Sequence, residues 1–295
     1  MKIQLVMPDW SRTMQWVKPM QRVMSDGGDN EVVITANPEE GVASVFTWLD
    51  ETCVAYTLSN PTAPCVAFAR RYEVFSKWVN VVDWAKLNHV FFVNDALLTL
   101  AMPVIQGKTE TSVLYNPVDV TVWSLSGRDG KNVAVVGGVS PRKNIPLAFQ
   151  VVDRLADDYT LHFIGGVQCA ETYLYIQHMA QAMRRRVYMH GQIPAEHIDT
   201  VLGVVNHLLC TSISEGSPNN VLEAMAKGIK PVVHNWPGAE NQFSPYVFNS
   251  ADEAANMIEY STYNANEYRE FVETNFDPTT TYRKVLDKLK CGTRS

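Results

Sequence analysis

No run of apolar residues in this chain approaches the ~20 that a membrane-spanning helix requires. No internal repeat and no low-complexity tract is visible either. Residues 1–7 are too few and wrongly flanked for a signal peptide, and they are typical of a first β-strand. We therefore expect a globular cytoplasmic protein without a transmembrane segment.

Cysteine is scarce and shows no paired spacing. The five cysteines are odd in number, which argues against a disulfide framework and against a zinc site. Cys65 and Cys210 lie in strand-like runs and are predicted to be core residues. A reducing compartment is the simplest that fits this pattern.

An excess of positive charge is also missing. The formal net charge is −6, and no basic, aromatic-rich stripe is present, so nucleic acid and anionic membranes are disfavoured as partners. The 295 residues include 46% hydrophobic and 19% charged residues, which fits two modest globular domains with apolar cores. The oligomeric state is left open.

Strand-like and helix-like patterns alternate along the chain, which predicts an α/β fold with parallel sheets covered by helices. The predicted strands are 3–7, 32–35, 65–69, 89–93 and 113–115, then 133–136, 161–164, 187–189, 208–211 and 231–234. The predicted helices include 14–24, 78–87, 96–102, 253–260, 267–274 and 281–289. A polar run at 124–131 predicts a boundary, with domains at 1–126 and 127–278 and a C-terminal helix at 279–295.

The most informative stretch is 212–228, between strand-like segments 207–211 and 231–234. It reads as a polar loop, a short helix and a glycine stop, with Ser217 as N-cap, Pro218 as first helical residue and Gly228 in the left-handed conformation. A helix N-terminus favours a phosphate, because its N–H groups are unpaired and its dipole end is positive.

Glu215 and Glu223 flank the start of this helix, with seven residues between them. A carboxylate is only an acceptor, so each matches a neighbouring pair of hydroxyl groups. A phosphate between two hydroxyl-bearing groups describes a nucleotide sugar. The alternative is a capped helix with two solvated glutamates.

The full pattern is Glu-Gly-x-Pro, then Glu-Ala-Met-Ala-x-Gly, then Pro-Val-Val. It resembles the retaining GT-B glycosyltransferases, in particular the GT4-like group. The resemblance implies two Rossmann-like domains, each with a parallel sheet, and a cleft between them: a reduced acceptor-side domain at 1–126 and a nucleotide-sugar-binding domain at 127–278. Enzymes of this fold often send the last helix back to the N-terminal domain, and the segment 279–295 is expected to do so, because 282–289 is amphipathic. The resemblance also implies transfer of a sugar from a UDP- or GDP-linked donor to an acceptor hydroxyl, with retained configuration, no metal and no further cofactor.

The resemblance also implies residue roles. Glu223 would accept hydrogen bonds from ribose hydroxyls, Glu215 would bind hydroxyls of the donor sugar, and Lys143 would stabilise the leaving diphosphate. The expected nucleotide-sugar contacts are Gly137, Gly138, Arg142, Lys143, Asn144, Gln192, Ile193, Glu215, Gly216, Ser217, Pro218, Asn219, Asn220, Val221 and Glu223.

Residues 137–144 resemble the family loop Gly-Arg-Leu-x-Pro-x-Lys-Gly. Lys143 matches the lysine, and the family's fold would bring it opposite Glu215. Gly138 stands where the family has arginine, so one expected cation is missing. Arg142 precedes Lys143, but neighbours on an extended loop are expected to point apart. The alternative is a glycine turn and helix cap with two solvated cations.

The N-terminal half carries weaker signals. Asn116-Pro117-Val118-Asp119 resembles the family's Asn-Gly-Val-Asp turn before the domain linker. Arg70, Arg71 and Tyr72 follow a strand and are candidates for the acceptor side; the family's donor-contacting histidine has no counterpart there. Trp10 is either an acceptor platform or a packing residue.

Three other functions stay open. The N-terminal domain is short for the family, which suits a phage-type enzyme that acts on modified DNA bases, although the net charge argues against DNA. The missing arginine and histidine leave room for a catalytically weak nucleotide-sugar-binding protein. A phosphorylase or epimerase on the same fold is the third.

Overall fold

The computed structural model describes residues 1–7, 14–25 and 28–292. Its contacts divide the chain into two compact units. Unit 1 combines residues 1–117 with the C-terminal segment that begins at Phe276, and unit 2 is Val118–Asn275. The division therefore falls before the polar run 124–131 at which the sequence predicts a boundary.

Unit 1 contains a six-stranded sheet whose neighbouring strands are all parallel, in the order β2-β1-β3-β4-β5-β6. Its strands are β1 (Lys2–Val6), β2 (Glu31–Thr35), β3 (Ala43–Phe46), β4 (Cys65–Ala69), β5 (His89–Phe92) and β6 (Glu110–Val113). The strand predicted at 113–115 is displaced, because the edge strand β6 is a polar segment that ends at Val113. β3 is absent from the sequence prediction.

Helices α1 (Met14–Ser25), α2 (Glu51–Leu58), α3 (Arg71–Val74), α4 (Trp78–Val81) and α5 (Asp95–Ile105) follow these strands. The helix predicted at 78–87 is wrong in length. It ends at Val81 and is followed by a separate 3₁₀ turn, Trp84–Lys86. Asp83 begins that turn, because its carboxylate accepts a hydrogen bond of 3.2 Å from the N–H of Ala85.

Unit 2 has a second parallel six-stranded sheet, in the order β12-β11-β10-β7-β8-β9. Its strands are β7 (Asn132–Val136), β8 (Thr160–Ile164), β9 (Arg186–Gly191), β10 (His207–Cys210), β11 (Lys230–His234) and β12 (Val247–Phe248). The five strands predicted in this half are confirmed. The two parallel sheets, whose strands alternate with helices along the chain, confirm the predicted α/β fold class.

The remaining helices are α6 (Ile145–Asp153), α7 (Ala170–Ala182), α8 (Ile198–Leu202), α9 (Asn219–Ala226), α10 (Ala239–Phe243), α11 (Ala251–Glu259), α12 (Ala265–Asn275) and α13 (Pro278–Cys291). The last of these belongs to unit 1, where Tyr282, Val285 and Leu289 are part of the hydrophobic core. The hydroxyl of Tyr282 also donates a hydrogen bond of 3.0 Å to the carbonyl of Trp16.

The strand order of unit 2 fixes where a ligand is expected. β7 lies between β8 and β10, so the chain leaves β7 in one direction along the sheet and reaches β10 on its other side. In open α/β sheets, loops that diverge at such a point form a crevice at the carboxyl ends of the strands. Here those loops are 137–144, after β7, and 211–218, after β10. Within the described ranges, no helix is both long and apolar enough to cross a membrane.

Candidate active site

The loop after β7 begins with two glycines in different situations. Gly137 has φ of 121°, and a Cβ atom there would lie 2.9 Å from Cε of Lys143. It is therefore required both for its backbone conformation and for the space that Lys143 occupies. Gly138 lies outside the left-handed region, and the three atoms nearest to a Cβ atom there would all belong to the exposed side chain of Gln168.

The next residues form a 3₁₀ turn, Pro141–Lys143, which ends at Asn144 with φ of 47°. The prediction of an extended loop with diverging cations is therefore wrong. The turn is held against the segment after β10. The N–H of Ile213 donates to the carbonyl of Arg142 at 3.0 Å, and the hydroxyl of Thr211 donates to the carbonyl of Lys143 at 2.6 Å.

Three donors converge on one oxygen, Oε1 of Glu215. Nζ of Lys143 lies 2.8 Å away and the hydroxyl of Ser212 lies 2.7 Å away, while Nη1 of Arg142 forms an ion pair with the same atom. The Lys143 and Glu215 side chains are 6% and 11% exposed. Burial alone would raise the pKa of Glu215, but the charges of Lys143 and Arg142 outweigh it and lower the pKa. The carboxylate is thus held ionised.

The loop that carries Glu215 is also fixed by contacts that the sequence analysis missed. Nδ1 of His234 donates to the carbonyl of Ser212 at 3.0 Å, and the amide of buried Gln242 donates to the carbonyl of Gly216 at 2.8 Å. These side chains come from β11 and α10. No local motif marks them, because their partners are backbone atoms of a distant segment.

The helix after this loop, α9, begins at Asn219 and has Pro218 at its N-cap. The assignment of Ser217 as N-cap and Pro218 as first helical residue is therefore wrong by one position, since the backbone of Pro218 is still extended. The side-chain amide of Asn220 donates to the carbonyl of Val136 at 2.9 Å, and the N–H of Val221 donates to Pro218 at 3.1 Å. Both groups are thus engaged within the protein.

The end of α9 is as predicted. Lys227 is the C-cap, and Gly228 follows with φ of 79°. This is the left-handed conformation that a glycine at this position supplies without strain.

The side chain of Glu223, on α9, lacks the charged partners that surround Glu215. In the part of the chain that the structure describes, its carboxyl group has no hydrogen-bond or ion-pair partner, and burial raises its pKa to about 7. The residue is half-buried, but the carboxyl group itself is poorly solvated. An unpartnered acceptor in such a place fits a ligand that donates hydrogen bonds.

The ends of β7, β8 and β9 also meet. Gly165 approaches so closely that a Cβ atom there would lie 2.1 Å from the carbonyl oxygen of Gly137, and its N–H donates to Gly191 at 2.9 Å. The side chain of Gln192 donates to the carbonyl of Ile193 at 3.4 Å. Residues 192 and 193 therefore follow the same sheet edge as the glycine loop.

In unit 1 the candidates separate into buried and exposed. Arg70 is 9% exposed, its guanidinium carbon lies 4.2 Å from the Trp16 ring centroid, and it donates to Thr47 at 3.2 Å and to Asn116 at 2.7 Å. Burial lowers its pKa to about 10. Arg70 is thus committed to structural contacts, and Tyr72 is 62% exposed. Arg71 is half-buried beside it, and Trp10 lies outside the described residues.

A family model described as "Glycosyl transferases group 1" matches residues 124–275. No curated protein sequence matches the chain. Several solved structures do.

The first is HepE from Anabaena in complex with UDP, with a TM-score of 0.76, 14% identity, and coverage of 98% of this chain and 99% of that one. The second is the lipopolysaccharide outer core galactosyltransferase WaaB in its apo form, with a TM-score of 0.74, 14% identity, and coverage of 99% and 100%. Sucrose-phosphate synthase from Thermosynechococcus elongatus has a TM-score of 0.75 and 13% identity, with 98% of each chain covered. Together with the two parallel sheets, this likeness confirms the GT-B fold predicted from the sequence.

Proposed function

The chain belongs to the glycosyl transferases group 1 family, and from this premise we propose that it is a GT4-like, retaining enzyme. It transfers a hexosyl group from a nucleoside diphosphate sugar to an acceptor hydroxyl, without a metal ion.

The contact between Lys143 and Glu215 carries the proposal. The two residues are far apart in sequence, yet Nζ and Oε1 lie 2.8 Å apart where the loops after β7 and β10 meet. A cation beside a carboxylate at the carboxyl edge of a parallel sheet suits a ligand with both phosphates and hydroxyls. Two solvated side chains would not explain an arrangement that is mostly buried.

Each side chain then has a distinct task. Lys143 stabilises the negative charge that grows on the leaving diphosphate, and Glu215 orients the donor sugar through its hydroxyls. Glu223 accepts hydrogen bonds from the ribose, which supplies the donors that its carboxyl group lacks. No side-chain nucleophile is assigned. Arg71 and Tyr72 contribute to binding of the acceptor.

The donor is proposed to be UDP-linked, with a GDP-linked sugar as the alternative. HepE has been crystallised with UDP, with UDP and glucose, and with UDP-glucose, which supports the first choice. The bonds that Glu215 and Glu223 make would be to sugar hydroxyls and are independent of the base.

A binding screen followed by a turnover assay tests the proposal. Nucleoside diphosphates and their sugars are first screened by thermal shift, since a ligand of the native state alone raises apparent stability. The donor that binds is then incubated with a panel of acceptors, products are detected by mass spectrometry, and anomeric configuration is read by NMR. Sugar transfer with retained configuration is expected.

Other results would assign the chain differently. Binding without transfer or hydrolysis would make it a nucleotide-sugar-binding protein, an outcome for which the uncharged Gly138 is the relevant observation. Inverted configuration would contradict the retaining assignment. Turnover that requires free phosphate would indicate a phosphorylase.

A further inference from the structure

The cluster around Glu215 holds more positive than negative charge. Arg142 and Lys143 are both cations, and both contact Oε1 of the single carboxylate Glu215. Ser212 donates to the same atom at 2.7 Å. The two cations therefore carry one more positive charge than this carboxylate neutralises. A charge that is removed from water without full compensation is costly, and an arriving anion would relieve that cost.

The guanidinium group of Arg142 has N–H donors available for such an anion. Its side chain is 30% exposed, whereas that of Lys143 is 6% exposed. Within the described ranges its acceptors are Glu215 and the carbonyl of Ser214, and both are reached through Nη1. A guanidinium group carries five N–H donors in a planar fork, so Nε and Nη2 remain able to bind a phosphate.

The position of Arg142 is fixed by its backbone. Its carbonyl accepts a hydrogen bond of 3.0 Å from Ile213, and the carbonyl of the next residue is held by Thr211. The 3₁₀ turn therefore stays against the segment after β10 whether or not the ion pair is intact. The guanidinium group can exchange a carboxylate oxygen for a phosphate oxygen by side-chain rotation alone.

We propose that Arg142 is a ligand of the donor's diphosphate and is held on Glu215 while the diphosphate subsite is empty. This inference rests on the proposed function and adds a second cation to Lys143. It also implies an order: binding of the diphosphate removes Arg142 from Glu215, which frees carboxylate lone pairs for the sugar hydroxyls.

The test compares phosphate-bearing and phosphate-free probes. Arg142→Ala and Arg142→Lys are measured by calorimetry with inorganic pyrophosphate, with UDP and GDP, and with uridine and guanosine. The control is Arg154→Ala, which removes a surface cation of unit 2 that pairs with Asp252. Thermal melts and circular dichroism verify that every variant is folded.

Arg142→Ala should weaken binding of pyrophosphate and of the better nucleoside diphosphate about 10- to 100-fold, the range for a lost hydrogen bond between charged groups. Nucleoside binding should be unchanged. Arg142→Lys should be intermediate, because lysine keeps the charge and loses the fork. The Arg154 variant should match wild type.

Three results would overturn the inference. The first is wild-type affinity of Arg142→Ala for the phosphate-bearing probes, and the second is a wild-type protein that binds none of them. The third is an equal loss for nucleosides and diphosphates, which would reduce Arg142 to a support of the Glu215 loop. Failure of the proposed function is separate: Arg142-dependent pyrophosphate binding without sugar transfer would sustain the inference and reject the transferase.

Discussion

Glu215 and Glu223 are the same residue type in opposite electrostatic surroundings. The cations Lys143 and Arg142 lower the pKa of Glu215, whereas burial without a partner raises that of Glu223 to about 7. Glu215 is therefore ionised at neutral pH before any ligand binds. Glu223 is near its midpoint, so its charge state is sensitive to what binds beside it.

Replacement of Glu223 by Gln should weaken nucleoside diphosphate binding by about 1–3 kcal/mol at pH 8, because the carboxylate accepts hydrogen bonds from the ligand. The wild-type affinity should rise between about pH 6 and pH 8, since binding requires the ionised form of a group whose pKa is raised to about 7. Calorimetry over this range, with Glu223→Gln as control for phosphate titration, measures both effects. Equal affinities of the two proteins at pH 8 would remove Glu223 from the site.

The raised pKa also has a consequence for the protein without ligand. The folded-state pKa of about 7 exceeds the ordinary carboxyl value of 4.5, so the folded state binds the proton more tightly than the unfolded chain. Stability should therefore fall as the pH rises from 4.5 through 7 at this site, and Glu223→Gln should lack that component.

Lys143→Ala should lower kcat more than it changes KM, because the charge on the leaving diphosphate is greatest in the transition state. Steady-state kinetics with the donor found by screening measures the split. The stability effect must be followed as well, since removal of Lys143 leaves Glu215 with only Arg142 and Ser212 among the three donors described above. A changed KM with an unchanged kcat would contradict the role.

The contact between Lys143 and Glu215 agrees with the sequence analysis, because both residues lie on loops whose strands could be ordered from the family pattern. The convergence of Arg142 on the same atom was not predicted. It depends on a 3₁₀ turn, and the sequence carries only a proline at its start to indicate one. Gln242 was missed for a different reason: its partner is a backbone carbonyl, which has no signature in the sequence.

At the scale of elements, the two adjacent glycines at the start of the loop after β7 have different structural requirements. Gly137 has φ of 121° and lies against Lys143, whereas Gly138 has neither constraint. A side chain at position 138 would displace Gln168, which is exposed and able to move. Position 138 therefore does not require glycine for its backbone conformation, and its difference from the family's arginine is the loss of one positive charge.

Gly138→Arg should tighten nucleoside diphosphate binding by roughly 1.5–3 kcal/mol, the size of one charge-assisted hydrogen bond. Gly138→Ala should bind like wild type, and Gly137→Ala should lose affinity through backbone strain and collision with Lys143. Calorimetric titration of the three variants with UDP and GDP makes the comparison. Loss of binding in Gly138→Ala would show that the glycine is needed for its backbone.

The elements that the sequence did not reveal share a physical cause. β3 has four residues, all buried, so it shows neither the alternation of a half-exposed strand nor the length of a typical buried one. β12 has only two residues. The strand at 65–69 was predicted because it is an uninterrupted run of five apolar residues, whereas Ser44 interrupts the run of β3.

The whole molecule consists of two units with separate hydrophobic cores, and the candidate donor-site residues all belong to unit 2. Leu289 is fully buried in the core of unit 1. Leu289→Ala should lower the free energy of unfolding by about 2–5 kcal/mol, the usual cost of a cavity left by a buried leucine.

The same variant should leave nucleoside diphosphate affinity within about twofold of wild type, because Leu289 and the donor-site residues belong to separate units, and independent sites have additive effects. Urea denaturation and calorimetry measure the two quantities. The matched control is Leu58→Ala, whose side chain is 67% exposed in the same unit. A large loss of affinity in Leu289→Ala would show that the core of unit 1 and the donor site are coupled.

The membership of α13 in unit 1 has a consequence for the order of events during synthesis. When Pro117 leaves the ribosome, the core of unit 1 still lacks Tyr282, Val285 and Leu289. Translation of residues 118–275 then takes on the order of 10 s at ~5–20 residues per second. Unit 2 is complete in sequence before α13 is made, so the core of unit 1 stays unfilled until unit 2 has been synthesised, and the apolar surface exposed in that interval is prone to aggregation.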